Sequence, residues 1–326
     1  MTKSRLWMGA LLCFFAAAAW GAMFPVAESA LHHIDAFWFT TLRYTSVTLI
    51  LCVILLLKEG KKAFRLEHQG FKLWLFGTFA FTVYNFFVFW GQQQLGKSGV
   101  LLAAIMEALM PMLVVLLMWI VTRKRPHFTT LTCVIIAFVG VLFVVTKGNL
   151  SSFASNELKA IPLLAMFIGV IGWVFYTVGS GQFRGWSALR YSTLTCILGS
   201  ATSLIITLLM TFTGTISFPE MSQVQPIIPQ MLFMIIVAGL MALVAWNQGV
   251  EMLTPVNGML FINFVPATTF LISVIQGYQV SPAEWFGTAL IMGALLVNNL
   301  LSRRSAQPQV KGPRDIKLKP ARTAHS

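Results

Sequence analysis

One carboxylate stands far from any polar stretch of the sequence. Glu107 lies in the middle of the apolar run 98–121. The acids Glu28, Asp35, Glu59, Glu251 and Glu284 all fall near the ends of such runs, within reach of water. A charge near the centre of a bilayer costs at least about 2.5–3.5 kcal/mol, so its retention points to a task. Three roles fit: binding a substrate amine, taking up a coupling proton, or completing a buried ion pair or hydrogen bond. One helical turn away stand Ala103, Ala104 and Pro111. Small residues and a proline mark a packed or cavity-facing side of a helix rather than a lipid face.

Other polar and aromatic residues recur at depth. Tyr84 and Asn85 share one run with Trp90 and Gln92; Trp173 and Tyr176 share another. Trp246, Asn247 and Gln248 form a third group, and Asn263 stands in a fourth run. An amide surrounded by hydrocarbon needs a partner, so Asn85 and Asn263 should face protein or a wet cavity. Interhelical hydrogen bonds meet the same need. Trp90 and Trp246 lie near run ends, where an interfacial aromatic belt explains them. Trp20, Trp173 and Tyr176 are deeper and read as cavity lining. The candidate binding set is therefore Glu107, Trp20, Tyr84, Asn85, Trp173, Tyr176, Trp246, Asn247 and Asn263. One carboxylate, a few amides and several aromatics suit a small amphipathic or aromatic metabolite.

Arg43 and Arg190 also fall within apolar runs. Long arginines snorkel to headgroups near helix ends, so anchoring or an interhelical hydrogen bond explains them, and the functional alternative is binding a substrate carboxylate. Pro111 and Pro266 sit in mid-run, where proline removes a helical hydrogen bond and favours a kink. Matched kinks serve either as hinges or as static bends. Ala238, Ala242, Ala245 and Gly249 form a helical stripe that reads as a packing seam.

The motifs of soluble chemistry are missing. The four cysteines, Cys13, Cys52, Cys133 and Cys196, are widely spaced inside apolar runs and read as small core residues. His32 and His33 are adjacent, while His68, His127 and His325 are isolated, so no metal motif forms. No P-loop and no nucleophile–base pair stands out. No catalytic residue, metal or organic cofactor is predicted, and proton coupling through Glu107 is the one ionic partner that fits.

These residues need a membrane to give them meaning. Of 326 residues, 57% are hydrophobic and 10% are charged, against about 25% charged in a soluble domain. Crossing the hydrocarbon core takes about 20 apolar residues per helix. Ten runs qualify, at about 6–27, 35–57, 71–91, 98–121, 129–147, 160–180, 187–211, 230–251, 255–278 and 284–301. The first follows Lys3 and Arg5 like a signal peptide, yet it continues through Trp20, Phe24 and Val26, too long for one.

The net charge of +13 does not indicate nucleic acid, because the basic residues are scattered among short loops. With the N-terminus in the cytoplasm, 18 of the 23 Lys and Arg fall on that side and 3 on the other. This asymmetry predicts a multi-pass protein of a cell (inner or plasma) membrane with both termini cytoplasmic. A sequon, Asn149-Leu150-Ser151, falls in an external loop. No clear GxxxG seam marks a dimer face, and no oligomeric state is assigned.

The chain also repeats itself. Leu-Arg-Tyr at 42–44 returns at 189–191. Trp90 and Gln92 return as Trp246 and Gln248, Pro111 as Pro266, and Pro126 as Pro282. The offsets are 147, 156, 155 and 156 residues, in the same order along both halves. A repeat of five spans enters the membrane from the opposite side in its second copy, which is a transporter device. The predicted architecture is all-α. Residues 1–150 form one five-helix repeat, 151–302 form its inverted partner, and 303–326 form a basic disordered tail.

Trp20-Gly21, the two Leu-Arg-Tyr segments, EALMP at 107–111, INFVP at 262–266 and SPAEWFGTALIMGALLV at 281–297 together resemble the drug/metabolite transporter superfamily, in its EamA-type ten-helix branch. The resemblance covers about residues 6–301. It implies two inverted five-helix repeats around a central cavity lined mainly by spans 1, 3, 4, 6, 8 and 9, and export of amino acids or other metabolites. Glu107 departs from what the resemblance implies. The expected function is a secondary transporter of a small molecule, embedded in lipid. Its rivals are a membrane-embedded enzyme acting on lipid, which should show acid or His clusters at one face, and a non-transporting sensor or assembly subunit.

Overall fold

The computed structural model describes residues 3–123, 125–126, 128–149, 160–183, 185–253, 258 and 260–306. Among them every regular element is helical. The first half comprises α1 (Lys3–Leu31), α2 (Ala36–Glu59), α3 (Gly70–Leu95), α4 (Lys97–Ala108), α5 (Met110–Thr122) and α6 (Phe128–Thr146). The second comprises α7 (Ala160–Gly179), α8 (Ala188–Phe212), the helical run α9 (Met221–Val250), α10 (Phe264–Ile275) and α11 (Pro282–Ala306). Side chains cap the starts of several of these helices. Asp35 accepts from Phe37 N at 2.8 Å ahead of α2, and Ser187 accepts from Arg190 N at 2.9 Å ahead of α8. Each satisfies an amide that the first turn leaves unpaired.

Among the described residues six helices are long and apolar enough to cross a membrane: α1, α2, α3, α7, α8 and α9. The bent pair α4–α5 makes a seventh if taken as one span. The sequence predicts ten. Shorter apolar helices, Phe128–Val144 and Phe261–Ile275, stand where the fifth and ninth spans are expected. The last expected span corresponds to α11, which continues through Ala306, past the predicted start of the tail at 303. The rest of that tail, and Leu150 and Ser151 of the sequon, lie outside the described residues.

The prolines sit differently from the mid-helix expectation. The chain bends by 40° between α4 and α5, and Pro111 stands in the first turn of α5. Pro266 stands in the first turn of α10, after a 3-10 turn at Leu260–Asn263. A first-turn residue has no intrahelical acceptor for its N–H, so proline there costs nothing and starts a helix. A further matched feature is absent from the sequence reading. Both α3 and α9 contain a π-helical stretch, at Thr78–Tyr84 and Phe233–Met241.

Packing follows a pattern that survives exchange of the two halves. α1 packs on α9 and α10, as α7 packs on α3 and on the α4–α5 pair. α2 meets α9 as α8 meets α3, while α2–α8, α6–α11 and α4–α10 pair across the centre. The α2–α8 seam is polar: Thr41 Oγ1 lies 2.9 Å from Ser203 Oγ and 2.8 Å from Thr207 Oγ1, and Thr48 Oγ1 lies 3.0 Å from Ser200 Oγ. Elsewhere backbones nearly touch. A Cβ on Gly77 of α3 would fall 2.1 Å from Thr195 O of α8. The predicted stripe Ala238, Ala242, Ala245 and Gly249 is buried, and Gly249 faces Gly9 and Cys13 of α1. Cys13, Cys133 and Cys196 are buried and all four thiols are free.

Pro25 lies inside α1. Proline has no N–H, so the carbonyl four residues back loses its donor. That carbonyl is Gly21 O, and Thr269 Oγ1 of α10 donates to it at 2.7 Å. The interhelical contact thereby replaces the missing helical one.

Candidate functional site

The break between α4 and α5 leaves Glu107 in the last turn of α4, and the π stretch of α3 ends on Tyr84. These two residues meet. The Tyr84 hydroxyl donates to Glu107 Oε1. Exposure is 4% for Tyr84 and 5% for Glu107, so the pair lies inside protein rather than against lipid.

Arg43 of α2 reaches the same place. It is 1% exposed, and its Nε donates to Met234 O at 3.1 Å, in the π stretch of α9. Its guanidinium carbon lies 4.8 Å from the Tyr44 ring centre, a cation–π contact. Arg43 forms no ion pair within 4.0 Å among the described residues. A snorkelling side chain is exposed at its tip, and this one is not. Of the roles its position allowed, the bond to Met234 O is the interhelical hydrogen bond, and burial under α9 rules out snorkelling.

Together these groups line a cavity of about 20 Å³, whose other walls are Trp20, Met23, Tyr44, Met110, Trp173 and Ile262. That volume holds about one water molecule. The aromatic wall is built from both halves. Trp20 Nε1 donates to Ala238 O at 3.0 Å, which fixes its ring. Trp173 stands edge-on to Trp20 at 6.2 Å and lies 5.1 Å from the Tyr84 ring.

Four of the predicted residues therefore converge: Glu107, Trp20, Tyr84 and Trp173. Trp246 lies behind Trp20, with ring centres 5.3 Å apart, and is 8% exposed. It is a buried wall residue, not part of an interfacial belt. Trp246 and Trp173 border a second void of about 10 Å³. Tyr176 packs one layer away. It stacks on Tyr191 at 5.1 Å, and its carbonyl accepts from Tyr191 Oη at 2.9 Å.

The amides are mostly committed to helices. Asn85 donates to Ala80 O at 2.8 Å within its own π stretch, and Asn247 donates to Ser192 Oγ of α8 at 3.1 Å. Asn263 is buried at the end of the 3-10 turn, with Oδ1 unpartnered. None of the three lines the cavity. Gln92 donates to Phe24 O at 2.8 Å, a link from α3 to α1.

Arg190 repeats Arg43 in sequence but not in place. It donates to Ala63 O at 2.8 Å, to Arg65 O at 2.7 Å and to Glu67 Oε1 at 2.7 Å, and it lies 3.8 Å over the Trp186 ring. Trp186 Nε1 also donates to Glu67 Oε2, at 3.1 Å. The cluster clasps the loop after α2 to the start of α8. Among the described residues no group of three His, Cys, Asp or Glu side chains could hold a metal ion.

The model of the EamA-like transporter family matches this sequence twice, over residues 7–146 and 160–300. The chain belongs to the EamA-like transporter family. The two matches cover the two halves whose helices pack in exchangeable fashion. A relative of this family member is the uncharacterized transporter YrdR of Bacillus subtilis (strain 168), 46% identical over 310 residues, covering 95% of this chain and 97% of YrdR. The uncharacterized transporter YyaM of the same organism is 22% identical over 283 residues, covering 86% of this chain and 90% of its own. A solved structure described only as "Crystal structure of protein" shares the fold. Its TM-score is 0.61 at 22% identity, covering 94% of this chain and all of the other.

Proposed function

We propose that this EamA-like protein is a secondary transporter that exports or exchanges amino acids or related small metabolites by alternating access. Ten spans form two inverted five-helix halves in a cell membrane, with both termini in the cytoplasm. The observation that carries this reading is the buried Tyr84–Glu107 pair facing a cavity walled by Trp20 from one half and Trp173 from the other. A titratable group held dry between two similar halves is what a coupled carrier requires. The cavity admits about one water, so a metabolite enters only when the halves part, with Pro111 and Pro266 as hinges at the starts of α5 and α10. Glu107 then exchanges a proton or a substrate amine as the site opens to each side.

Counterflow in liposomes tests this. Vesicles carrying wild type, loaded with a mixed metabolite pool, should accumulate at least one labelled compound from outside. Glu107→Gln should lose that exchange or its response to a pH gradient. Unchanged exchange by the variant would make Glu107 structural. Folded wild type that moves nothing across a broad panel would return the sensor and enzyme readings to first place.

A further inference from the structure

Inside the bundle a buried guanidinium is short of protein partners. Arg43 is 1% exposed, yet its Nη1 has no hydrogen-bond partner among the described residues. Its Nε is bound to Met234 O, which uses one of five donors. Among the described residues no carboxylate lies within ion-pair distance of it. Glu107 lines the same cavity, with Oε1 taken by the Tyr84 hydroxyl, and lies beyond ion-pair distance of the guanidinium, so it is a nearby counter-charge and not a hydrogen-bonded partner for Nη1.

Guanidinium keeps its charge inside proteins. A buried guanidinium whose N–H groups lack acceptors is unfavourable, even with the Glu107 carboxyl in the same cavity. The Tyr44 ring offsets part of the cost, at 4.8 Å, but it offers no acceptor for the free N–H. A flat fork of donors matches a carboxylate two bonds at a time. The remaining walls, Met23, Trp20, Trp173 and Ile262, are apolar or aromatic.

We propose that Arg43 is the substrate-binding cation of this protein and that the transported solute carries a carboxylate on an apolar or aromatic body. This assignment rests on the transporter reading and narrows it: amines and neutral solutes without a carboxylate are excluded. Both a simple carboxylic acid and an amino acid offer the required group. Arg43 also holds the carbonyl of Met234, so an arriving carboxylate acts on a residue that ties α2 to α9.

The test uses purified full-length protein in detergent and four probes of similar size. Two carry a carboxylate, 3-phenylpropionate and phenylalanine. Two do not, 3-phenylpropanamide and phenethylamine. Binding is read as a rise in thermal midpoint and as saturable change in tryptophan fluorescence. At least one carboxylate should bind about tenfold or more tightly than the amide and the amine, because a charge-assisted bond is lost in those. Which of the two carboxylates wins identifies a simple acid or an amino acid. Arg43→Lys should weaken that binding about tenfold, since the ammonium keeps the charge and loses the fork. Arg43→Met should abolish it.

Equal binding of acid and amide, tighter binding of the amine, no binding of either acid up to about 10 mM, or unaltered binding by Arg43→Met overturns the assignment. If Arg43→Met does not fold, the acid–amide comparison on wild type decides alone. Counterflow separates the two levels. Exchange of a solute lacking a carboxylate, equal in wild type and Arg43→Lys, removes the assignment and leaves the transporter. Carboxylate binding at Arg43 without any exchange leaves the site and removes the transporter.

Discussion

Tyr84 and Glu107 are joined by a hydrogen bond across the gap between α3 and α4, with the hydroxyl donating to the carboxylate. The contact depends on two departures from regular helix, the π stretch that ends at Tyr84 and the break that follows Ala108.

Tyr84→Phe removes the donor and keeps the ring. A hydrogen bond to a charged group is worth about 1.5–3 kcal/mol. Exchange in liposomes should fall by about tenfold or more, and the thermal midpoint should also drop, because the buried Glu107 carboxyl loses its donor even though the ring still packs on Trp173. Full activity in Tyr84→Phe would separate the tyrosine from the transport cycle.

Thr269→Val should destabilise the protein by about 1–3 kcal/mol, because Gly21 O lies behind Pro25 and has no helical donor. Thr269→Ser keeps the hydroxyl and should cost less. In the Pro25→Ala background the valine should cost less than it does alone, since an alanine N–H can return to Gly21 O. Chemical denaturation in detergent measures all four. Strict additivity would mean that the threonine does not compensate for the proline.

Gly77→Ala places a methyl 2.1 Å from the Thr195 carbonyl, where only backbone movement can make room. Overpacking of this kind costs about 1–3 kcal/mol. Gly181→Ala meets nothing within 4 Å and should be close to neutral. Comparing the two melting curves tests the close approach of α3 and α8.

The clasp at Glu67 should depend on pH. Its hydrogen bond with Arg190, helped by Trp186, holds the carboxyl below the usual carboxylate range. A lowered folded value means that the charged form favours the folded contact. The contribution is therefore fully present above the ordinary carboxylate value and is lost as pH falls through the lowered one. Hydrogen-exchange protection across residues 60–69, measured relative to the intrinsic rate at each pH, should fall on acidification in that window. Glu67→Gln should exchange fast at neutral pH and lose the pH response.

Much of this site was readable before the fold was known, and the reasons are local. Glu107 stood out because an acid in mid-run is costly whatever surrounds it. Trp20 and Trp173 stood out by depth alone. Arg43 did not, because a position a few turns into α2 says nothing about which helix covers it. Only the placement of Met234 and the α9 backbone encloses that side chain. Asn85 was legible as needing a partner, but not which one; Ala80 supplies it. Trp246 looked peripheral because it stands near the end of a run, while α9 carries it behind Trp20. Pro111 and Pro266 were legible as breaks, and the side of the break on which each falls was not.

The two π stretches give the molecule a way to twist without tearing. Each lodges a surplus residue in its turns, and the surplus can pass along the helix as one bond closes behind another. Every step of one residue rotates the end of a helix by about 100°. Tyr84 terminates one stretch, and Arg43 grips Met234 in the other. The two groups that meet at the cavity are thus fastened to the only places in α3 and α9 where slack is stored, so screwing either helix would reset the grip on whatever lies between them.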